Sequence, residues 1–295
     1  MRKQIPAHHS LSSNIDQCTA ATYASDTPCL RTGLPISDSF GIYTFKNVDF
    51  THCLSSNDNG GAIKCILSST QLNVTRCTFT NCHVSNTSSY RGGGIYADSI
   101  KSVTTQSCFF TSCSAEWGGG FYINGIKSTP SFSKCLFIAC KGDYLGAGAF
   151  VGQCTKTSSF IACADCMFIK STTVSSTSNL HGGGLYLDIY ANTHANTVSN
   201  VLFTQNSVTR EAGGLRIYES ELGLDYSVKF CFFSGNSVTY DGKDVHMYNV
   251  TFNSFMHCFT ESSGQNRLYV LPPANETPFS SHPVTQPNWL PQDVP

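Results

Sequence analysis

A paired strand motif returns about every 30 residues, and it constrains this chain more than any other feature. Its first half is a short apolar segment built on a phenylalanine: Val48-Asp49-Phe50, Cys77-Thr78-Phe79, Cys108-Phe109-Phe110, Cys135-Leu136-Phe137, Cys166-Met167-Phe168, Val201-Leu202-Phe203 and Cys231-Phe232-Phe233. Successive phenylalanines are 29, 31, 27, 31, 35 and 30 residues apart. Three residues after each comes Cys53, Cys82, Cys113, Cys140, Ser171, Asn206 or Asn236. A loop then leads to a glycine cluster, such as Gly118-Gly119-Gly120, and to a second apolar segment, such as Phe121-Tyr122-Ile123.

A period near 30 with two β-type segments per unit indicates a solenoid. Glycine clusters and aromatic or β-branched runs exclude helical repeats. The sequence therefore predicts an all-β fold: a right-handed, single-stranded parallel β-helix of about seven to eight coils, with equivalent residues stacked about 4.8 Å apart. Residues 1–45 read as an irregular N-terminal cap and 46–260 as the β-helix. Residues 261–295 read as a flexible Pro-rich tail, since 271–295 hold seven of the eleven prolines.

Strand alternation assigns faces. In the first segment the Cys/Val and Phe columns point inward, leaving Asp49, Thr78, Phe109, Leu136, Met167, Leu202 and Phe232 outward. In the second, Tyr96, Tyr122, Phe150, Tyr186, Arg216 and His246 point outward. An outward ladder Tyr96–Tyr122–Phe150–Tyr186 would be an aromatic stripe able to stack sugar rings or meet a protein. With Phe109 and Trp117 it forms the candidate binding surface.

The cysteines form two columns, Cys77–Cys108–Cys135–Cys166 and Cys53–Cys82–Cys113–Cys140. Stacked cysteines would sit within the disulfide range of about 4.4–6.8 Å between Cα atoms, so inter-coil bridges and a reduced packing ladder are both open. Cys163-Ala164-Asp165-Cys166 has C-x-x-C spacing, but no second ligand pair follows it. No metal and no cofactor is expected.

Catalysis would require paired carboxylates. Glu116 and Asp143 precede the glycine bend in adjacent coils, as do Glu211 and Asp241. One coil of separation is about 5 Å, the spacing of a retaining glycosidase pair. Their alternative role is that of solvated turn acids. Neither G-x-S-x-G nor H-E-x-x-H occurs, and the glycine triplets precede strands rather than helices.

Composition narrows the partners. Eighteen Lys and Arg against nineteen Asp and Glu leave a net charge of −1, without the basic excess of a nucleic-acid binder. No signal peptide and no transmembrane segment are visible. A composition rich in Ser, Thr, Asn and Gly suits an extracellular or cell-surface β protein, and four N-x-S/T sequons occur, at Asn73, Asn86, Asn249 and Asn275.

The pairing of G-G-[I/L/F]-[Y/I] with F-x-x-N resembles the repeats of chlamydial polymorphic outer membrane proteins. Gly93-Gly94-Ile95-Tyr96 and Gly183-Gly184-Leu185-Tyr186 carry the first half; Phe203–Asn206 and Phe233–Asn236 carry the second. In four units F-x-x-N is F-x-x-C. The resemblance spans roughly residues 47–250 and implies a pectin-lyase-like β-helix in an adhesin-like, non-enzymatic module. Its partner would be a host protein or a glycan. The same fold also hosts polysaccharide lyases and glycoside hydrolases, and a plain structural spacer is a third reading.

Overall fold

The computed structural model describes residues 12–22, 42–55, 59–66, 68–84, 90–128, 130–152, 162–173, 181–189, 196–219, 225–239, 242–248, 251–256, 258–260 and 268–271. All regular structure among them is β-strand, and every strand pair is parallel. The fold is a parallel β-solenoid. One coil shows the plan: Ser102–Gln106, Phe109–Thr111, Ser114–Trp117 and Phe121–Asn124 follow each other around the rod. Each stacks on its counterparts in the neighbouring coils, 26 to 31 residues away. The first two kinds of segment form one 16-stranded sheet, joined through the long strand Ile42–Thr51. The third kind forms a seven-stranded sheet and the fourth, after the glycines, an eight-stranded sheet.

The corners explain the motif. Single residues at positive φ precede each cysteine column: Ser107 (52°) before Cys108, Ser112 (54°) before Cys113, Lys134 (53°) before Cys135 and Ala139 (52°) before Cys140. One left-handed residue redirects the chain without a loop, at a cost of about 1 kcal/mol or more for a non-glycine residue. The side chain that follows turns inward and donates to a carbonyl left open at the bend. Cys82, Cys113 and Cys140 direct Sγ at the carbonyls of Phe50, Phe79 and Phe110, at 3.4, 3.4 and 3.5 Å. Asn206 and Asn236 place Nδ2 on the equivalent carbonyls of Phe168 and Phe203, at 2.8 and 3.0 Å. F-x-x-C and F-x-x-N are thus two solutions of one problem: an inward donor for the Phe carbonyl of the preceding coil.

Inside, Phe50, Phe79, Phe110, Phe137, Phe168, Phe203 and Phe233 form a continuous stack. Ring centroids are 4.6–5.2 Å apart and planes within 10° of parallel. Each stacked pair adds about 0.5–1.5 kcal/mol beyond its burial. The third glycine of each cluster makes room for this stack. A Cβ on Gly120 would lie 2.5 Å from the Gly148 carbonyl oxygen and 2.7 Å from Phe137 Cδ1. At the last rung the pairing is reversed. Thr260 takes the Phe register, Asp244 takes the glycine position, and the buried Asp244 accepts from Thr260 Oγ1 and, at 3.0 Å, from Asn236 Nδ2.

Two boundaries differ from the sequence reading. Ser12–Thr22 pairs in parallel with Ile42–Thr51, so strand stacking begins inside the stretch read as an irregular cap. Leu268–Leu271 pairs with Val245–Tyr248, so it also extends into the stretch read as tail. Residues 272–295 lie outside the described residues.

Candidate functional site

Eleven described cysteines are free and buried: Cys65, Cys77, Cys82, Cys108, Cys113, Cys135, Cys140, Cys163, Cys166, Cys231 and Cys258. Cys53 is disulfide-bonded. Burial pushes Cys82 and Cys113 well above the ordinary thiol range. The sulfurs of Cys82, Cys108, Cys113, Cys135, Cys140 and Cys166 all lie against backbone carbonyls, the place of structural thiols; the neighbouring Cys108 thiol pulls Cys77 below the ordinary thiol range, and against the upward push of burial Cys108 and Cys166 pull Cys135 down as well. Cys163 is buried too, and burial pushes Cys166 well above the ordinary thiol range. Among the described residues no group of three or more His, Cys, Asp or Glu side chains could hold a metal.

The outward aromatic column stands in the register that alternation requires. Tyr122 pairs with Tyr96 on one side and with Phe150 on the other, and Phe150 with Tyr186. It is not an exposed stripe, and this corrects the sequence expectation. Tyr96, Tyr122, Phe150 and Tyr186 are only 1–5% exposed and make a second hydrophobic cluster outside the sheet. The cover comes from the position just before the glycine bend. Arg91, Trp117, Leu145, His181 and Glu211 stack rung on rung there. Trp117 tilts onto Phe150 at 5.7 Å, and the Arg91 guanidinium lies 4.6 Å from the Trp117 ring centre and donates to Tyr122 Oη at 3.0 Å. Trp117 is half-buried as a lid. Phe109, on the outer face of the 16-stranded sheet between Thr78 and Leu136, is half-buried too.

The proposed carboxylate pairs fare differently. Ser114–Trp117 and Lys141–Leu145 pair with a register shift between Ala115 and Trp117, so Glu116 has no single rung partner. Burial raises Asp143, and the slipped register denies it and Glu116 the single shared rung of a stacked carboxylate pair. Asp241 lies outside the described residues. Glu211 is instead the hub of a cluster that the sequence reading missed. Its Oε2 accepts from Arg216 Nη1 and lies 3.2 Å from both His181 Nδ1 and His246 Nδ1. Arg216 Nη1 also approaches His246 Nδ1 at 2.6 Å, and Arg210 Nε lies 3.6 Å from Glu211 Oε1. Burial, then the Arg216, Arg210 and His246 charges, push His181 down to about 3, against the opposing pull of the Glu211 carboxylate. The signal was available: Arg216 and His246 interrupt an otherwise aromatic column.

Two residues further along these strands runs a polar row, Asp98–Asn124–Gly152–Asp188–Tyr218. Asp98 is saturated, accepting from Tyr96 Oη at 3.0 Å, Ser99 Oγ at 3.2 Å and Asn124 Nδ2 at 3.0 Å. Asp188 is not, and burial pushes it up to about 6, opposed by the Arg216 charge. Compared with protein-family models, curated proteins and solved structures, the chain matches none. No helix among the described residues is long and apolar enough to cross a membrane, which leaves β-barrels unaddressed.

Proposed function

We propose that this chain is a non-catalytic β-solenoid recognition module of the cell-surface, adhesin-like kind implied by its resemblance to the chlamydial repeats. It engages a host protein or a glycan. A right-handed, pectin-lyase-like winding belongs to the same reading, and parallel β crossovers are right-handed in about 98% of cases. The observation that carries the proposal is the disposition of the carboxylates. Glu116 and Asp143 meet at a register shift rather than on one shared rung, and Glu211 is committed to Arg216 and two histidines. The outer face of the glycine-led sheet, by contrast, presents the half-buried Trp117 and Tyr218 on a rigid, covered aromatic ladder, with loops of unequal length beside it.

The test is incubation with a polysaccharide panel, read for binding and for unsaturated or reducing-end products. The module should bind without generating product. Turnover that disappears in Glu116→Gln or Asp143→Asn would overturn the proposal.

A further inference from the structure

The aromatic column of the glycine-led sheet ends at Tyr186, and the next rungs carry Arg216 and His246. The ring is displaced by two residues, to Tyr218, which is half-buried and is the rung partner of Asp188. On its other side Asp188 has Gly152, which contributes no side chain. Asp188 and Asp98 occupy the same row, yet among the described residues Asp98 has three side-chain donors and Asp188 has none. The tyrosine that would fill them at Asp188, Tyr186, is turned to Arg216. Arg216 is only 6% exposed, and its Nε–H is buried with no hydrogen-bond partner. A half-buried carboxylate, an unused guanidinium N–H and a half-buried ring therefore share one corner.

We infer that Asp188, Tyr218 and Arg216 form a subsite for one hydroxyl-bearing sugar ring of a neutral glycan. This rests on the recognition reading above and names its ligand class. Two sugar hydroxyls donate to the Asp188 carboxylate, and the apolar face of the ring packs on Tyr218. A hydroxyl oxygen accepts from Arg216 Nε–H once the ring settles. Arg216, 5.9 Å from the Tyr218 ring centre, also keeps the carboxylate ionised. An acidic sugar is disfavoured because its carboxylate would meet both Asp188 and Glu211. Among the described residues the titratable groups that act on Asp188 are Arg216, Tyr186 and Tyr122; burial holds both tyrosines protonated throughout the working range.

The experiment measures the affinity of the intact chain for neutral oligosaccharides (gluco-, manno- and xylo-configured) and for uronate oligomers, at pH 7.5 and pH 5. Asp188→Asn, Tyr218→Ala and, as a remote control, Lys141→Ala are compared, and each variant is first shown to keep the far-UV circular dichroism spectrum of the folded parent. At least one neutral oligosaccharide should bind. Its affinity should fall about tenfold or more in Asp188→Asn and in Tyr218→Ala, and about tenfold between pH 7.5 and pH 5 as the carboxylate protonates. Asp188→Asn should abolish the pH dependence, which a purely structural aspartate would not control. Neutral binding that ignores both variants, or that is flat with pH, overturns the subsite while leaving the recognition reading standing. So does binding of uronates alone. No binding to any glycan also overturns the subsite, whereas product formation overturns the recognition reading instead.

Discussion

Cys53 heads the F-x-x-[CN] column as a disulfide; among the six described positions after it, Ser171 is the one that lacks a working donor. It stacks between Cys140 and Asn206, it is fully buried, and its Oγ has no hydrogen-bond partner. By register its target is the Phe137 carbonyl, as Phe110 O is for Cys140 and Phe168 O is for Asn206. The serine side chain is shorter than either neighbour, so its hydroxyl is desolvated without compensation, at a cost of about 1–3 kcal/mol. Ser171→Cys replaces that hydroxyl with a weakly polar thiol on a longer bond, in the geometry its column already uses at 3.4–3.5 Å. The Ser171 N–H to Asn206 Oδ1 bond, 3.0 Å, is a backbone donation and is retained. The expected gain is about 1–2 kcal/mol. Urea unfolding followed by far-UV circular dichroism should show it as a midpoint raised by about 0.5 M at unchanged slope. Ser171→Ala removes the stranded hydroxyl but leaves a small void and no donor, so it should fall between the parent and Ser171→Cys. A cysteine variant that is no more stable than the parent would refute the idea that the column selects inward donors.

Three further outcomes follow from the same geometry. Gly120→Ala should destabilise by about 3 kcal/mol or more, because the added Cβ meets backbone at 2.5 Å and the Phe stack at 2.7 Å; loss of soluble expression or a collapsed urea midpoint would register it. Ala139→Gly should gain up to about 1 kcal/mol, since φ of 52° strains alanine but not glycine, and the same unfolding assay reads it. Stability against pH should show two opposed titrations. His181 is depressed when folded, so the unfolded state takes up its proton first and stability is lost as pH falls below 6.5 toward the folded value of about 3. Asp188 is raised when folded to about 6, so the folded state protonates first and stability is regained as pH falls from about 6 to 3.8. The two offset each other between about pH 4 and 6. Asp188→Asn should unmask the histidine: stability at pH 7 rises by at most about 3 kcal/mol, and its decline between pH 6 and 4 becomes steeper, by midpoints measured across that range.

Much of the rod was legible before any coordinates. Period, alternation and the cysteine and asparagine positions all express one constraint: each side chain must match the residue stacked about 4.8 Å above it. The inward Phe column, the glycine bend and the equivalence of F-x-x-C with F-x-x-N are repeated seven or so times, and repetition is what a sequence displays. The candidate sites were less legible. Alternation says which side of a sheet a residue occupies, not what lies over it. The stripe Tyr96–Tyr186 is outward and still buried, because Trp117 and its stacked neighbours return across the glycine bend to cover it. The charge cluster at Glu211 was hidden for a related reason. His181, Glu211, Arg216 and His246 come from three coils, at spacings set by loops of unequal length. Stacking within a sheet is local and periodic, so the amino-acid sequence alone determined the solenoid and its core. Contact between one face and the loop that folds back over it depends on the register across a bend, and only the tertiary structure decided which aromatic rings are covered and which carboxylate, Asp188, is left open.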